Sequence, residues 1–358
     1  MTATLDARLA QLTLELVSIE SVTGDEEAIA DHVEGWLRER YAGEVIRSGN
    51  SVVAMPPEDD RPTLALFGHL DTVPGREDGP PRISADQVHG TGSSDMKGAL
   101  AVMMALAEDT DPLALPVRVI HVFYDREEGP YLESGLIPLH EDIGERFRAI
   151  DLAICMEPTD GTIQMGCTGT LHATIRFEGR RAHSARPWQG DNAIHQAGAF
   201  LSEMHAREPI DIRRGDLIFR EVMTVTTTKS PAARNVVPDW FELNLNYRFA
   251  PGKSLDQAQQ DVRDAVGDRA TVEFTDLCPS GETCLDNPHV QRLLRVTGAA
   301  VEPKQAWTDV ARLQQWGFDA IHMGPGEGAQ AHQRNETAPI APLASTYGDL
   351  LRYLSTAD

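Results

Sequence analysis

The segment Thr63-Leu64-Ala65-Leu66-Phe67-Gly68-His69-Leu70-Asp71 carries a short apolar run followed by two polar side chains. Its apolar run ends at a Gly-His pair, which predicts a short buried strand. Further strands and helices alternate over residues 5–156: strands at residues 117–124 and 152–156, and helices at 5–19, 26–37 and 96–107. This alternation is typical of an α/β fold with a mostly parallel sheet that is covered by helices on both faces.

The apolar pattern changes near Thr168. From there the sequence predicts the order strand, helix, strand, strand, helix, strand, at residues 171–177, 192–205, 221–227, 240–249, 254–266 and 270–275. Asp191 is the predicted cap of the first helix, and Ser254 with Gln257 forms a capping box at the start of the second. The order is the split βαβ arrangement of a small α+β domain.

This change of pattern divides the chain into two domains, for which 358 residues are long enough. We predict an α/β domain formed by residues 1–167 and 285–358, because helical patterns return after Asp286. The α+β domain is predicted to be inserted at residues 168–284.

Composition and charge narrow the class of protein. Hydrophobic residues make up 41% and charged residues 24%, the balance of a soluble globular protein. The 32 basic and 55 acidic residues give a net charge of -23, which argues against general nucleic-acid binding. No stretch reaches the roughly 20 apolar residues that span a bilayer, and residues 1–20 lack the pattern of an export signal. We expect a cytoplasmic protein that binds neither nucleic acid nor membrane.

Titratable side chains stand at the ends of the predicted strands. His69 and Asp71 are two residues apart in an extended segment, so the carboxylate can hold the imidazole in orientation. Glu127 and Glu128 follow another strand, where adjacent carboxylates are costly unless a positive group neutralises them. Each pair also has an ordinary explanation, as a polar strand end or a solvated turn.

Three more side chains complete a set that could bind metal. Asp95 follows a Gly/Ser loop, where it could equally be a helix N-cap. Glu157 stands just past a strand, and His332 lies late in the chain. Two imidazoles and three carboxylates suit two divalent ions about 3.5–4 Å apart, and a spare glutamate suits a general base. Such a site would provide the hydroxide, the polarised carbonyl and the proton shuttle that amide hydrolysis needs.

Several of these residues lie in motifs that resemble the co-catalytic zinc aminoacylase and exopeptidase family, which includes acetylornithine deacetylase, dipeptidases and carboxypeptidases. The resemblance covers essentially the whole chain and rests on these segments: Gly68-His69-Leu70-Asp71-Thr72-Val73-Pro74, residues 92–98, Glu127-Glu128-Gly129 and His183-Ser184-Ala185-Arg186-Pro187. It implies a zinc-exopeptidase catalytic domain with an inserted dimerisation lid.

The resemblance implies a role for each candidate metal ligand. His69, Asp95 and Glu157 would bind one zinc ion. Glu128 and His332 would bind a second, with Asp95 bridging the two ions of each subunit. Cobalt or manganese are possible substitutes at such a carboxylate-rich site.

The resemblance also implies the catalytic residues of the same domain. Glu127 would be the general base, and Asp71 would orient His69. The peptide bond between Asp95 and Met96 is expected to be cis.

In the inserted domain, the resemblance implies contacts to substrate and to a second subunit. The chain would form a homodimer through this lid, and His183 of the partner subunit would stabilise the oxyanion of the tetrahedral intermediate. Asn235 and Arg248 would bind a substrate carboxylate, a task that suits a guanidinium. Thr308 is a further candidate for substrate binding.

Within the family, the chain looks most like the actinobacterial succinyl-diaminopimelate desuccinylases. The segments that carry this likeness are residues 165–171, 190–195, 235–239, 246–251, 307–310 and 324–326. The implied reaction is hydrolysis of N-succinyl-LL-2,6-diaminopimelate to succinate and LL-2,6-diaminopimelate, in lysine and diaminopimelate biosynthesis. One departure is that better-known desuccinylases carry an Arg-Arg-Gly-Ser element where this chain reads Cys167-Thr168-Gly169-Thr170.

Two alternatives stay open at this point. Another hydrolase of the same family, such as a dipeptidase, a carboxypeptidase or an N-acyl amino acid deacylase, would share the zinc chemistry and differ in the pocket for its small anionic substrate. A non-catalytic binding protein on this scaffold would have lost a metal ligand or the base, whereas this chain retains all of them.

Overall fold

A computed structural model describes residues 4–75 and 79–356. The chain divides into two compact units. The first unit consists of Met1–Met165, Thr283–Glu302 and Thr308–Asp358, and the second of Gly166–Glu282 and Pro303–Trp307. The short segment Pro303–Trp307 lies outside the predicted inserted domain, since the apolar pattern of the sequence carries no sign of its tertiary contacts.

The described residues form the following strands, numbered in chain order: β1 (Glu44–Ser48), β2 (Ser51–Met55), β3 (Thr63–His69), β4 (Arg82–Ile83), β5 (Gln87–His89), β6 (Arg118–Tyr124), β7 (Ile150–Cys155), β8 (Ile163–Met165), β9 (Gly169–Glu178), β10 (Ala182–His183), β11 (Ile210–Arg214), β12 (Leu217–Lys229), β13 (Val236–Val237), β14 (Trp240–Phe249), β15 (Thr271–Cys278), β16 (Val301–Pro303), β17 (Ala320–His322) and β18 (Thr337–Pro339).

They also form the following helices: α1 (Leu5–Val17), α2 (Glu27–Arg40), α3 (Gly98–Asp109), α4 (Leu136–Ile143), α5 (Ala193–Gln196), α6 (Gly198–Ala206), α7 (Leu255–Val266), α8 (Pro288–Thr297), α9 (Val310–Gln315) and α10 (Ile340–Ser355). Across residues 4–75 and 79–356, no helix combines the length and the apolar character that crossing a membrane requires.

The large sheet of the first unit has the strand order β1-β2-β6-β3-β7-β17-β8-β16. Strands β6, β3, β7 and β17 in its centre are parallel to one another. The pairs β1/β2, β2/β6 and β17/β8 are antiparallel. All seven residues of β3 and of β6 are buried, as expected of parallel strands with continuous apolar runs. The predicted α/β class with a mostly parallel sheet is confirmed.

Helix α3 begins two residues later than predicted. Its residues from Gly98 to Ala107 are all buried, as suits a helix that is apolar on every side. The residue at its N-cap position is Lys97, so the alternative in which Asp95 caps this helix is wrong. Asp95 and Met96 instead have non-helical backbone angles, and the peptide bond between them is cis, as the resemblance implied.

The large sheet of the second unit is antiparallel and has the strand order β11-β12-β14-β9-β15. Alternate residues of β14 are buried and half-buried. Leu243, Leu245 and Phe249 therefore belong to the core of this unit, together with the buried side of α7. Asn246 and Arg248 lie on the opposite, half-exposed face, because successive side chains of a strand point to opposite sides.

Helices α5 and α7 of the second unit begin at two different kinds of cap. The predicted capping box of Ser254 and Gln257 is confirmed. The predicted cap Asp191 is wrong, because the side chain of Asn192 accepts the N–H groups of Ile194 and His195. Two adjacent residues with equally good capping side chains cannot be ranked until the backbone angles are known.

Candidate metal centre

The predicted metal ligands of the first unit stand on five separate segments. His69 is the last residue of β3, Glu128 follows β6 and Glu157 follows β7. Asp95 lies in the turn before α3, and His332 precedes β18. Because β3, β6 and β7 are parallel neighbours, their carboxyl ends meet at one edge of the sheet, where ligand sites of open α/β sheets lie.

These five residues, which we call the metal cluster, form two overlapping groups. His69, Asp95 and Glu157 make one group, and Asp95, Glu128 and His332 make the other. In each group the nitrogen and oxygen atoms that could bind a metal lie within 4.8 Å of one another. The structure therefore brings all five predicted ligands together.

Asp95 belongs to both groups. Its Oδ1 lies 3.1 Å from Nε2 of His69, and its Oδ2 lies 3.8 Å from Nε2 of His332. The two carboxylate oxygens thus face different imidazoles, which is the arrangement that a bridging ligand of two metal ions requires.

The electrostatics of the cluster favour added positive charge. Desolvation raises the pKa of Glu127 well above its usual range, and Glu157 and Glu128 raise it further while His69 opposes them. The hydrogen bond between His332 Nε2 and Glu128 Oε1, at 2.7 Å, raises the pKa of His332 to about 9. Divalent cations relieve such crowding of carboxylates, and two imidazoles with three carboxylates are a donor set that fits zinc.

Asp71 has a larger role than the sequence predicts. Its Oδ1 accepts the backbone N–H of Glu127 at 2.9 Å, and its Oδ2 accepts the N–H of Glu128 at 3.0 Å and the hydroxyl of Thr23 at 2.9 Å. Nδ1 of His69 lies 2.9 Å from the backbone carbonyl oxygen of Asp71 and 3.6 Å from its Oδ1. The Asp71 carboxylate therefore holds the loop that carries both glutamates, besides facing the imidazole.

The groups around the Asp71 carboxylate favour its ionised form. Desolvation by burial works against the ionised form, but His69 and the N–H groups of Glu127 and Glu128 outweigh it and lower the pKa of Asp71. An ionised acceptor at this position keeps the loop in place.

Glu336 is a site residue that the sequence analysis missed. Its carboxylate accepts the backbone N–H groups of Gly92 and Ser94 at 2.8 Å and of Asp95 at 2.9 Å. Burial raises the pKa of Glu336 to about 7 although these bonds oppose the rise. The only signal in the sequence is an acid four residues after His332, and that spacing has no meaning in the absence of a fold.

Thr308 is buried in the first unit, where its hydroxyl lies 2.6 Å from Nε2 of His322. The other ring nitrogen of His322 lies 3.1 Å from the carbonyl oxygen of Gln164, which can only accept. A neutral His322 therefore carries its proton on Nδ1, and the Thr308 hydroxyl donates to Nε2. Contact of Thr308 with substrate stays a prediction.

His183 and Asn235 lie next to each other in the second unit. The N–H of Ser184, the residue after His183, donates to the carbonyl oxygen of Asn235 at 2.9 Å. His183 is exposed, and its Nδ1 accepts the N–H of Ala185 at 3.0 Å. A neutral His183 ring then carries its proton on Nε2, where it can donate to a ligand. Arg248 lies elsewhere in this unit, on β14.

Comparisons with known proteins find relatives that match nearly the full length of the chain. Residues 166–272 match the peptidase dimerisation domain of the M20 type. The chain is 38% identical over 350 residues to a putative succinyl-diaminopimelate desuccinylase of Mycobacterium tuberculosis strain H37Rv, covering 96% of this chain and 97% of the relative. It is 34% identical over 355 residues to the succinyl-diaminopimelate desuccinylase of Corynebacterium glutamicum, covering 96% and 95%.

A solved structure shares the fold. A tripeptidase from Staphylococcus aureus subsp. aureus Mu50 matches with a TM-score of 0.80 and 20% sequence identity, over 98% of both chains.

Proposed function

The chain belongs to the M20 metallohydrolase family and to its actinobacterial desuccinylase branch, and from this membership we infer that it hydrolyses N-succinyl-LL-2,6-diaminopimelate. The products are succinate and LL-2,6-diaminopimelate, in lysine and diaminopimelate biosynthesis. The observation that carries the hydrolase chemistry is the convergence of the metal cluster into two groups that share Asp95.

We propose that the metal cluster holds two zinc ions, one bound by His69, Asp95 and Glu157 and the other by Asp95, Glu128 and His332. Cobalt or manganese are possible substitutes. When bound, the ions polarise the scissile carbonyl and favour the deprotonation of water at neutral pH. The separate direction of the two Asp95 oxygens supports the shared ligand.

Glu127 is the proposed general base. It would take a proton from the attacking water and give that proton to the leaving amine, the usual task of a carboxylate with a raised pKa. Two observations support the role: the raised pKa of Glu127, and the Asp71 carboxylate that holds its backbone N–H at 2.9 Å.

We propose that the second unit is a lid through which two copies of the chain form a homodimer. His183 of the partner subunit would donate its Nε2 proton to the oxyanion, which the tautomer of this ring supports. Asn235, Arg248 and Thr308 would contact the small anionic substrate, and a guanidinium suits its carboxylates. We also propose that the protein acts in the cytoplasm.

A substrate panel with metal analysis tests this function. Purified zinc-loaded protein is assayed with N-succinyl-LL-2,6-diaminopimelate, N-acetylornithine and simple dipeptides, and released amine and bound metal are measured. We expect preferential turnover of the succinyl substrate. Turnover of N-acetylornithine or of dipeptides, with none of the succinyl substrate, would move the chain to the deacylases or dipeptidases of the same family.

A further inference from the structure

The half-exposed face of the second unit carries a chain of side-chain hydrogen bonds that ends at Arg248. Nε of Arg248 donates to Oδ1 of Asn246 at 3.1 Å. Nδ2 of Asn246 then lies 3.1 Å from Nε2 of His172 and 3.0 Å from Oγ1 of Thr170, and Nδ1 of His172 lies 3.0 Å from the side chain of Asn244. The chain therefore holds the guanidinium through its Nε and leaves its two Nη groups for another partner.

A second arginine shares a cavity with Arg248. The cavity has a volume of about 460 Å³ and is lined within this unit by Ile218, Arg220, Val222, Arg248 and Gln305. Val222 of β12 is paired with Arg248 of β14, and Arg220 stands two residues earlier on the same face of the sheet. This volume is in the range of roughly 300–1,000 Å³ that is typical of small-molecule sites.

Arg220 is also held through its Nε, but by the carboxylate of Asp211, and its side chain is exposed. Its Nε donates to Oδ1 of Asp211 at 3.1 Å, and its backbone N–H donates to Oε1 of Gln305 at 3.2 Å. Gln305 also donates through Nε2 to the carbonyl oxygen of Ile218 at 3.0 Å, so the segment Pro303–Trp307 is anchored along β12. Within residues 4–75 and 79–356, the Nη groups of the two arginines have no hydrogen-bond acceptor.

The charge of Arg248 is only weakly compensated by the protein. Burial lowers the pKa of its guanidinium, and among the described residues Cys278 and Asp276 work against that effect. Asp211 pairs with the Arg220 guanidinium at 3.1 Å, so the positive charge of the cavity comes mainly from Arg248, while both guanidiniums direct two uncommitted Nη groups to a ligand. An anion with two oxygens in one plane fits such donors, because guanidinium and carboxylate form parallel hydrogen bonds.

We propose that Arg220 and Arg248 together form a carboxylate-binding subsite of the second unit, in which Asn246 and His172 are positioning residues that aim Arg248. We call this surface, defined by these four residues, the arginine face. The subsite takes one carboxylate of the N-acyl amino acid substrate, and this choice of ligand rests on the proposed function. Better-known desuccinylases carry arginines at the position of residues 167–170, and this chain has none there. The subsite provides an arginine from strand β12 instead.

Binding of each product by itself tests the subsite. Succinate and LL-2,6-diaminopimelate are titrated separately by calorimetry into zinc-loaded full-length protein, for the wild type and for Arg220→Gln. We expect one of the two products to bind about 10- to 100-fold more weakly to the variant, as for the loss of a charge-assisted hydrogen bond. The KM for the succinyl substrate rises by a similar factor, while kcat changes by less than about 3-fold.

Two further variants separate geometry from charge. Arg220→Lys keeps the charge but not the planar fork, so it should restore only part of the affinity. Arg207→Gln removes an exposed arginine of the same unit that does not line the cavity, and it should bind both products like the wild type.

Two results would overturn the subsite: wild-type affinity of Arg220→Gln for both products, or an equal loss of affinity in Arg207→Gln. Failure of the proposed function looks different. In that case the wild type does not hydrolyse the succinyl substrate, but Arg220→Gln still weakens binding of a carboxylate, so the subsite stands without the assigned reaction.

Discussion

The metal cluster draws its side chains from five segments between residues 69 and 332, whereas the arginine face draws its side chains from the neighbouring strands β9, β12 and β14. Two acids of the metal cluster are buried, with Asp95 9% and Glu157 6% exposed, and the third, Glu128, is half-buried. On the arginine face, the side-chain amide of Asn246 holds the guanidinium of Arg248, and the imidazole of His172 contacts that amide in turn. Buried like charges need a cation, whereas half-exposed charges keep part of their hydration and need only orientation.

This difference predicts that substitutions in the metal cluster change activity far more than substitutions on the arginine face. Removal of the metal should have the largest effect. Dialysis against a chelator is expected to abolish hydrolysis, and stoichiometric zinc should restore it together with an increase in thermal stability, because ligands that bind only the folded state stabilise it. Activity and metal content are measured on the same samples. Full activity of metal-free protein would contradict the role of the cluster.

Glu127→Gln should have the next largest effect. The substitution removes the proposed proton acceptor but leaves both metal groups that share Asp95, so we expect kcat to fall by about 10²- to 10⁴-fold with zinc content unchanged. Steady-state kinetics and elemental analysis give the two readouts. Glu133→Gln is the matched control, since Glu133 is an exposed glutamate of the same loop. A Glu127→Gln enzyme with wild-type kcat would remove this residue from the mechanism.

Asp71→Asn tests whether the residues that support the cluster matter nearly as much as its ligands. The new amide group would face N–H donors of Glu127 or Glu128 where an oxygen now accepts them. We expect zinc affinity to fall by about 10- to 100-fold, measured by competition with a chelator of known affinity. Thr23→Val removes only the third donor to this carboxylate and should have a smaller effect. Equal effects of the two variants would mean that the loop contacts are unimportant.

Asn246→Leu should have the smallest effect, and it tests the arginine face. It removes the acceptor of the Arg248 Nε proton while leaving both arginines in place. Because a hydrogen bond of this kind contributes about 1 kcal/mol net, we expect KM for the succinyl substrate to rise by roughly 3- to 10-fold with little change in kcat. A rise in KM as large as the roughly 10- to 100-fold loss of zinc affinity that is expected for Asp71→Asn would show that the arginine face is as sensitive to substitution as the metal cluster.

Strong apolar patterns made the main elements of the fold predictable. Strands β3, β6 and β14 and helix α7 lie where the sequence placed them, within a few residues. Short strands such as β8, β16 and β17 were missed, because three residues are too few to show a period. Their pairing depends on neighbours that are distant in the chain.

The residues of the candidate site were also predictable only in part. Resemblance to a known family pointed to the metal ligands and the base by position, and the structure brings the ligands together. It did not point to Glu336, to Thr23 or to the contacts of Asp71 with the backbone of Glu127 and Glu128, because the partners are backbone N–H groups and hydroxyls that any sequence offers. His332 has a left-handed backbone with φ of 60°, which is unusual for a residue with a side chain and is invisible in the sequence.

The α/β class, the inserted α+β pattern and the residue types of a two-metal site can be read from the amino-acid sequence, because burial periodicity and ligand chemistry are local properties of the chain. Three features require the folded chain: Asp95 faces two imidazoles, Glu336 holds the Asp95 loop, and Arg220 shares a cavity with Arg248. Each of these depends on contacts between residues far apart in the chain, whose geometry is set when the sheets form and not by any single segment.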